Sequence, residues 1–340
     1  MDLERAFDLP SWLVGPWERL QHARLAERLP HALLVTGVAG VGKRRLIEGF
    51  FGALLCAQSD AQGYACGKCA DCALLAAGTH PDLVIVKPDE DTKSQEIKVA
   101  AIRELIGTEA LTSHRGRWKL VLLDPAHRMN TSAANALLKT LEEPASDTLI
   151  CLVSERPNRL AATIRSRCQT LQVPLPDETE ALAWLSPRLH KGEPSTILRL
   201  AHGAPLRALG LADEECLSLR DRIFSGFVEV GIGKRDPVAE ATTWNKLEPA
   251  ILLDWLGGWI SDLLRLTVGQ PEPALTNPDK ADDLSSLAAR LDLAAAHRYL
   301  QRVWDASADD LSNLNRLLVY ESLLVAWAGV TRSATVQLQG

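Results

Sequence analysis

Four cysteines crowd into the stretch CAQSDAQGYACGKCADC, at Cys56, Cys66, Cys69 and Cys72. Two-residue spacers let neighbouring thiolates turn onto one ion, and four thiolates complete a tetrahedral zinc site with no open position for water or substrate. The pattern predicts a structural zinc. An iron–sulfur cluster also takes four thiolates, but its familiar run puts the fourth cysteine downstream, and here the outlying one, Cys56, lies upstream. Unligated core cysteines are a third reading, and it is the simpler one for Cys151, Cys168 and Cys216.

A second constellation is GVAGVGKRRL, Gly37 to Leu46. A loop of this spacing surrounds phosphate with backbone N–H groups and the start of a helix, while its lysine adds a point charge. Gly37, Gly40, Gly42 and Lys43 supply those parts. The next residue should be a Ser or Thr, whose hydroxyl holds magnesium. Arg44 stands there instead, a cation with no acceptor atom. The companion acid is Asp124, at the end of KLVLLD, and Pro125 after it has no side chain for proton chemistry. Two independent parts of a hydrolytic site are therefore missing. Two readings stay open: a loop that still binds ATP through Lys43 and its amides, and a strand-to-helix turn kept for packing.

The elements that position these residues follow from the apolar pattern. HALLVTG reads as a strand ending at Gly37, and KRRLIEGFFGALLC reads as the helix after it, with Leu46, Phe50, Leu54 and Leu55 at helical spacing. Further strand-length runs lie at 83–86, 118–124, 148–154 and 168–173, with helical segments at 99–106 and 132–142 between them. Alternation of this kind predicts a parallel sheet covered by helices. Before it, Trp17, Leu20 and Leu25 mark an amphipathic lead-in helix. For the helix at 132–142, Thr131 or Ser132 is the expected cap. The run PLP, Pro174 to Pro176, ends the pattern, and the remainder reads as helical. The expected division is an α/β domain over 1–173, a small helical domain over 174–212 and a larger helical domain over 213–340. In the last, Leu314, Leu317 and Leu318 point one way and Val319, Leu323 and Trp327 others. Such helices want burial on several sides, in a monomer core or against partner subunits.

Composition narrows the classes. Of the 340 residues 46% are hydrophobic and 24% charged, ordinary values for a globular chain of two or three domains. The net charge of -6 argues against a protein that coats nucleic acid by itself. It also counts against a stand-alone zinc-dependent DNA-binding protein, as does the scarcity of basic residues around Cys66 to Cys72. The opening residues carry acids and no apolar signal-peptide core, which predicts a cytoplasmic protein.

The stretch TSAANALLKTLEEPASDTLICLVSERPNRLAATIRSRCQ carries a family likeness. NALLKTLEEP followed by SRC, with the cysteine cluster after the loop helix and AGTHPD at Ala77 to Asp82, resembles the clamp-loader branch of the AAA+ proteins. The resemblance covers residues 1–173 with specific motifs and the rest by length and helical character. It implies a RecA-like AAA+ domain with a zinc module, a helical lid and a C-terminal helical collar for oligomerisation. In hydrolysing members a Glu follows the acid of the strand end, where this chain has Pro125. The role implied is thus a non-hydrolysing, stator-like subunit of the bacterial replicative DNA polymerase III clamp loader; an active ATPase motor subunit is the alternative. Its implied partners are gamma/tau-type ATPase subunits and a delta subunit in a hetero-pentamer that loads the sliding clamp at primed DNA. The Arg of SRC, Arg167, would reach a neighbour's ATP as an arginine finger. A local salt bridge is the plainer reading of that residue. Ser154 takes the place of the family's sensing polar residue. Arg207 lies one position off the Arg that hydrolysing relatives turn on their own nucleotide, so that role is not carried over.

Overall fold

The structure is a computed structural model that describes residues 9–60, 62–88, 96–107, 113–115, 118–269, 275–308 and 315–337, with side chains described as far as Thr331. The chain divides into two compact units, one of residues 1–184 with 204–207 and one of 185–203 with 208–340.

The first unit is built on five parallel strands: β1 (Ala32–Thr36), β2 (Leu83–Val86), β3 (Lys119–Leu123), β4 (Thr148–Ser154) and β5 (Gln169–Gln172), in the order β2-β3-β4-β1-β5. β3 and β4, inside the sheet, are buried at every residue, as strands covered on both faces must be. Side chains alternate between two cores. Leu33, Val35, Leu120, Leu122, Cys151 and Val153 join one, with α1 (Ser11–Leu25) and α2 (Lys43–Leu55). Leu34, Val121, Leu123, Ile150 and Leu152 join the other, with α4 (Val99–Ile106) and α5 (Thr131–Glu142). Between α2 and β2 lies α3 (Ala70–Ala77), which carries Cys72. The short α6 (Ala162–Arg165) leads into β5, and α7 is Glu178–Leu185.

Two local expectations are corrected. Leu25 does not face the core: it is 77% exposed, and α1 buries Trp12, Leu13, Trp17 and Leu20 instead. The cap of α5 is neither Thr131 nor Ser132 but Asn130, whose side-chain oxygen accepts from Ala133 N at 2.9 Å. A residue one place earlier gets the non-helical backbone that a cap requires.

The second unit is helical. After the short α8 (Pro194–Leu200) and α9 (Pro205–Leu211), which begins in the first unit, come α10 (Glu214–Gly231), α11 (Pro237–Trp244), α12 (Pro249–Thr267), α13 (Ala281–Ala288), α14 (Leu293–Ala308) and α15 (Arg316–Gln337). Their core holds Phe227, Trp244, Trp259, Tyr299, Tyr320 and Trp327, with Trp327 stacked on Phe227 at 4.3 Å. A buried carboxylate needs partners. Asp262 has them in the backbone N–H groups of Thr276 and Asn277, the Asn277 amide and the Arg265 guanidinium. On α15, Leu323 and Trp327 are buried and Leu317 and Val319 half-buried, whereas Leu318 and Val325 are 59% and 53% exposed. Leu314 lies outside the described residues. No helix among the described residues is long and apolar enough to cross a membrane.

Candidate functional site

The loop between β1 and α2 turns through Gly37, Gly40 and Gly42, with φ of 148°, 74° and 104°. At Gly40 a side chain is excluded twice over. Its φ is left-handed, and a Cβ there would lie 2.3 Å from Arg207 Cβ and 2.6 Å from Arg207 N. Leu206 N donates to Gly40 O at 3.1 Å, so the start of α9 seals this turn of the loop. We expect Gly40→Ala to cost about 1–3 kcal/mol from backbone strain and overpacking, read as a shift of the denaturant midpoint. An unshifted midpoint would show that α9 does not hold the loop.

Lys43 is buried at the first turn of α2. Its Nζ donates to Gly37 O at 2.9 Å and Val38 O at 2.7 Å. Glu155 Oε2 lies 3.9 Å away. Burial holds the ammonium pKa below its ordinary value, against the pull of Glu155 and Asp124. Arg44 points to the same place: Nε donates to Glu48 Oε1 at 2.8 Å and Nη1 is 3.7 Å from Asp124 Oδ2. Burial pushes the Asp124 pKa up, and Arg44 offsets part of that. A cavity of about 410 Å³ opens here, lined by Gly40, Gly42, Lys43, Arg44, Asp124 and Glu155 among others.

Two residues of this corner escaped the sequence reading. Glu155 follows Ser154 at the end of β4, and His127 follows Asp124 by three places. His127 Nδ1 is 3.2 Å from Ser154 Oγ, and its Nε2 is 4.0 Å from Glu155 Oε1. Burial, against the attraction of Glu155 and with the repulsion of Arg128, Arg156 and Arg159, brings its pKa to about 4, so the ring is neutral near pH 7. Ser154 is therefore already engaged by a neighbouring side chain. The signal was available: ligands of parallel sheets gather beyond the carboxyl ends of the strands, where both residues lie.

Arg167 lies at the opposite end of the strands. β5 runs parallel to β1, with Gln169 beside Leu33 and Gln172 beside Thr36, and Arg167 precedes that register while Gly37 follows it. Arg167 thus sits in the turn before β5, at the amino end of the strands, whereas the loop leaves the carboxyl end of β1. Its Nη1 donates to Thr163 O at 2.9 Å and its Nη2 pairs with Glu142, both side chains being partly exposed.

The four cysteines come together at the end of α2 and the start of α3. All four Sγ atoms lie within 4.8 Å of one another, and Cys56–Cys69 and Cys66–Cys72 are each 3.9 Å apart. Four thiolates about 2.3 Å from a tetrahedral zinc would be about 3.8 Å apart, so the donor set fits such an ion. The N–H groups of Gln58 and Cys66 point at Cys56 Sγ and that of Cys72 at Cys69 Sγ. Burial alone would raise the Cys69 thiol, but donors from Cys72 and Ala57 and the neighbouring thiols bring it to about 6; Cys66 is also lowered by backbone donors, whereas burial raises Cys56 and Cys72.

An all-parallel β2-β3-β4-β1-β5 sheet with a phosphate-type loop after β1, followed by a helical unit, is the architecture of an AAA+ protein. The family models for "DNA polymerase III, delta subunit" and its C-terminal part match residues 15–177 and 214–329. The DNA polymerase III subunit delta′ of Pseudomonas aeruginosa is 37% identical over 327 residues, covering 93% of this chain and 98% of that one. Its Escherichia coli counterpart is 32% identical over 92% of this chain and 93% of its own. The chain belongs to the DNA polymerase III delta′ family. It is also similar to a solved gamma subunit-related protein of Thermotoga maritima, with TM-score 0.48 and 17% identity over 93% of this chain and 100% of that one.

Proposed function

We propose that this chain is a non-hydrolysing structural subunit of the replicative clamp loader, and that it completes a neighbour's ATPase site with Arg167. The observation that carries the reading is the placement of two arginines. Arg44 stands beside Asp124 in the chain's own loop, and Arg167 lies at the other end of the strands, before β5, which supports a role toward another subunit's nucleotide. Pro125, at the place of the family's general base, has no side chain that could activate water. The partners are gamma/tau-type ATPase subunits and a delta subunit in a hetero-pentamer acting in the cytoplasm on the sliding clamp and primed DNA.

Within this role the division into an α/β domain (1–173), a lid (174–212) and a collar (213–340) is functional. The collar reading is supported by α15, where Leu318, Ser322, Val325 and Gly329, uncharged and exposed, recur at helical spacing among the described residues. A face of this kind suits a neighbouring helix better than water. The ion of the four-cysteine cluster is zinc with a structural role, since no coordination position is left for substrate.

Steady-state ATP turnover is expected to be absent from the purified chain and present when the chain is assembled with ATPase subunits. Robust turnover by the chain alone would overturn the reading.

A further inference from the structure

The segment AGTHPD, Ala77 to Asp82, lies outside the loop, the Arg167 turn and the four sulfurs. In the fold it stands between the cysteine cluster and the sheet. Gly78, at φ 70°, ends α3, and the N–H groups of Gly78 and Thr79 close on Leu75 O and Leu74 O. The chain then turns back toward its own helix. His80 Nε2 comes to 3.5 Å from Oδ1 of Asp71, which lies in the first turn of α3 between Cys69 and Cys72.

The imidazole, on a residue only 4% exposed, has both nitrogens engaged. Nδ1 accepts from Asp82 N at 3.1 Å, which puts the proton on Nε2, facing the Asp71 carboxylate. Asp82 is fully buried, and its carboxylate accepts from His114 N at 2.6 Å, Arg115 N at 3.1 Å and Ser113 Oγ at 3.3 Å. Arg115 Nε in turn lies 2.6 Å from Asp71 Oδ1. Asp71, His80, Asp82 and Arg115 thus form a closed ring of polar contacts. The same turns join the sheet, for Leu120 N donates to Asp82 O and Lys119 Nζ to Pro81 O, each at 2.8 Å.

We propose that this ring is a latch that fastens the metal module to the sheet, with His80 as a positioning residue. His80 holds Asp71, and through it the backbone that presents Cys69 and Cys72, in the form that receives the ion. The inference rests on the reading of the four cysteines as a metal site. Side chains that hold ligands in place without touching the ion alter metal affinity about 10–100-fold. Linkage makes the effect reciprocal. Metal that favours the latched form also steadies the turn at 113–115, none of whose residues is a ligand.

The test is metal release and amide exchange in the full chain. With a chromogenic chelator, His80→Leu should release the ion about ten-fold faster than wild type. His80→Gln, which keeps an N–H for Asp71, should stay within about three-fold of wild type, so the difference between two space-filling variants reads the hydrogen bond itself. Arg115→Ala, at a side chain 45% exposed, opens the ring without a hole in the core and should speed release about three-fold, the value of a partly exposed pair. In the other direction, chelation should speed exchange of the Asp82, His114 and Arg115 amides about ten-fold in wild type and add little in His80→Leu, where the ring is already open. Wild-type release from His80→Leu and Arg115→Ala would overturn the latch. So would equal release from the Leu and Gln variants, or exchange at those amides that chelation leaves unchanged. Each of these results, obtained on a chain that holds metal, leaves the metal site standing. A wild type without metal strikes that site, and the latch with it.

Discussion

Arg167→Ala is expected to lower ATP turnover at the neighbouring subunit's site about a thousand-fold, the smaller end of what an arginine finger contributes. The measurement is single-turnover hydrolysis in the assembled complex with the other ATP sites inactivated, so that the site facing this chain is read alone. The competing reading, a local ion pair, makes the opposite forecast. In the chain by itself Arg167 is held by Glu142 and by Thr163 O, and both side chains of the pair are partly exposed. Pairs of that kind contribute less than about 1 kcal/mol, so the isolated variant should unfold at nearly the wild-type midpoint. Arg167→Lys should not rescue turnover, because a lysine lacks the planar fork that meets two phosphoryl oxygens at once. Glu142→Gln separates the readings further. It removes the resting partner of Arg167 and leaves the guanidinium available, so turnover should match or exceed wild type. Wild-type turnover in the Arg167→Ala complex, or a Glu142→Gln variant as damaged as Arg167→Ala, would reduce the residue to a structural ion pair.

That opposition between the two ends of the strands was only half legible in the sequence. The strands could be read because β3 and β4 are buried on both faces, and such strands are written as unbroken apolar runs. The loop and the cysteines could be read because their chemistry depends on local spacing. Leu25 misled because its helical spacing matches that of Trp17 and Leu20, while the helix turns its end into solvent. The partners of Lys43 were hidden for a different reason. Its neighbours Glu155 and Asp124 are more than eighty residues away in sequence and meet it only because parallel strands bring their carboxyl ends to one edge. The contact of Leu206 with Gly40 has the same origin: a distant segment folds onto a turn whose glycine leaves room for its backbone. Local chemistry is thus written locally, and the corner in which Arg44 meets Asp124 is written in the order of the strands.

Removing one thiolate should have a larger effect on stability than any change in the loop. In Cys69→Ser we expect metal binding to be lost and the segment between Cys56 and α3 to open to protease, because its described residues form no helix or strand. The loss should extend beyond the segment. Cys56, Ala65, Cys72 and Leu75 belong to the same core as Trp17, Leu20 and Phe50, and Tyr64 stacks on Trp17 at 4.6 Å. Freeing the tyrosine stack and re-exposing the buried side chains of α3 gives an expected loss of about 3–5 kcal/mol, read as a lowered denaturant midpoint of the α/β unit. Cys216→Ser, in the other unit and outside the cluster, should keep the metal and serve as the control. Elemental analysis should find one zinc per wild-type chain, and none in Cys69→Ser. A brown protein holding iron would replace zinc by an iron–sulfur cluster. A metal-free wild type with the full unfolding midpoint would mean that the four sulfurs are only packed together. The zinc reading differs from both in coupling the metal to the unfolding of Trp17, whose fluorescence should change on chelation before the rest of the unit melts.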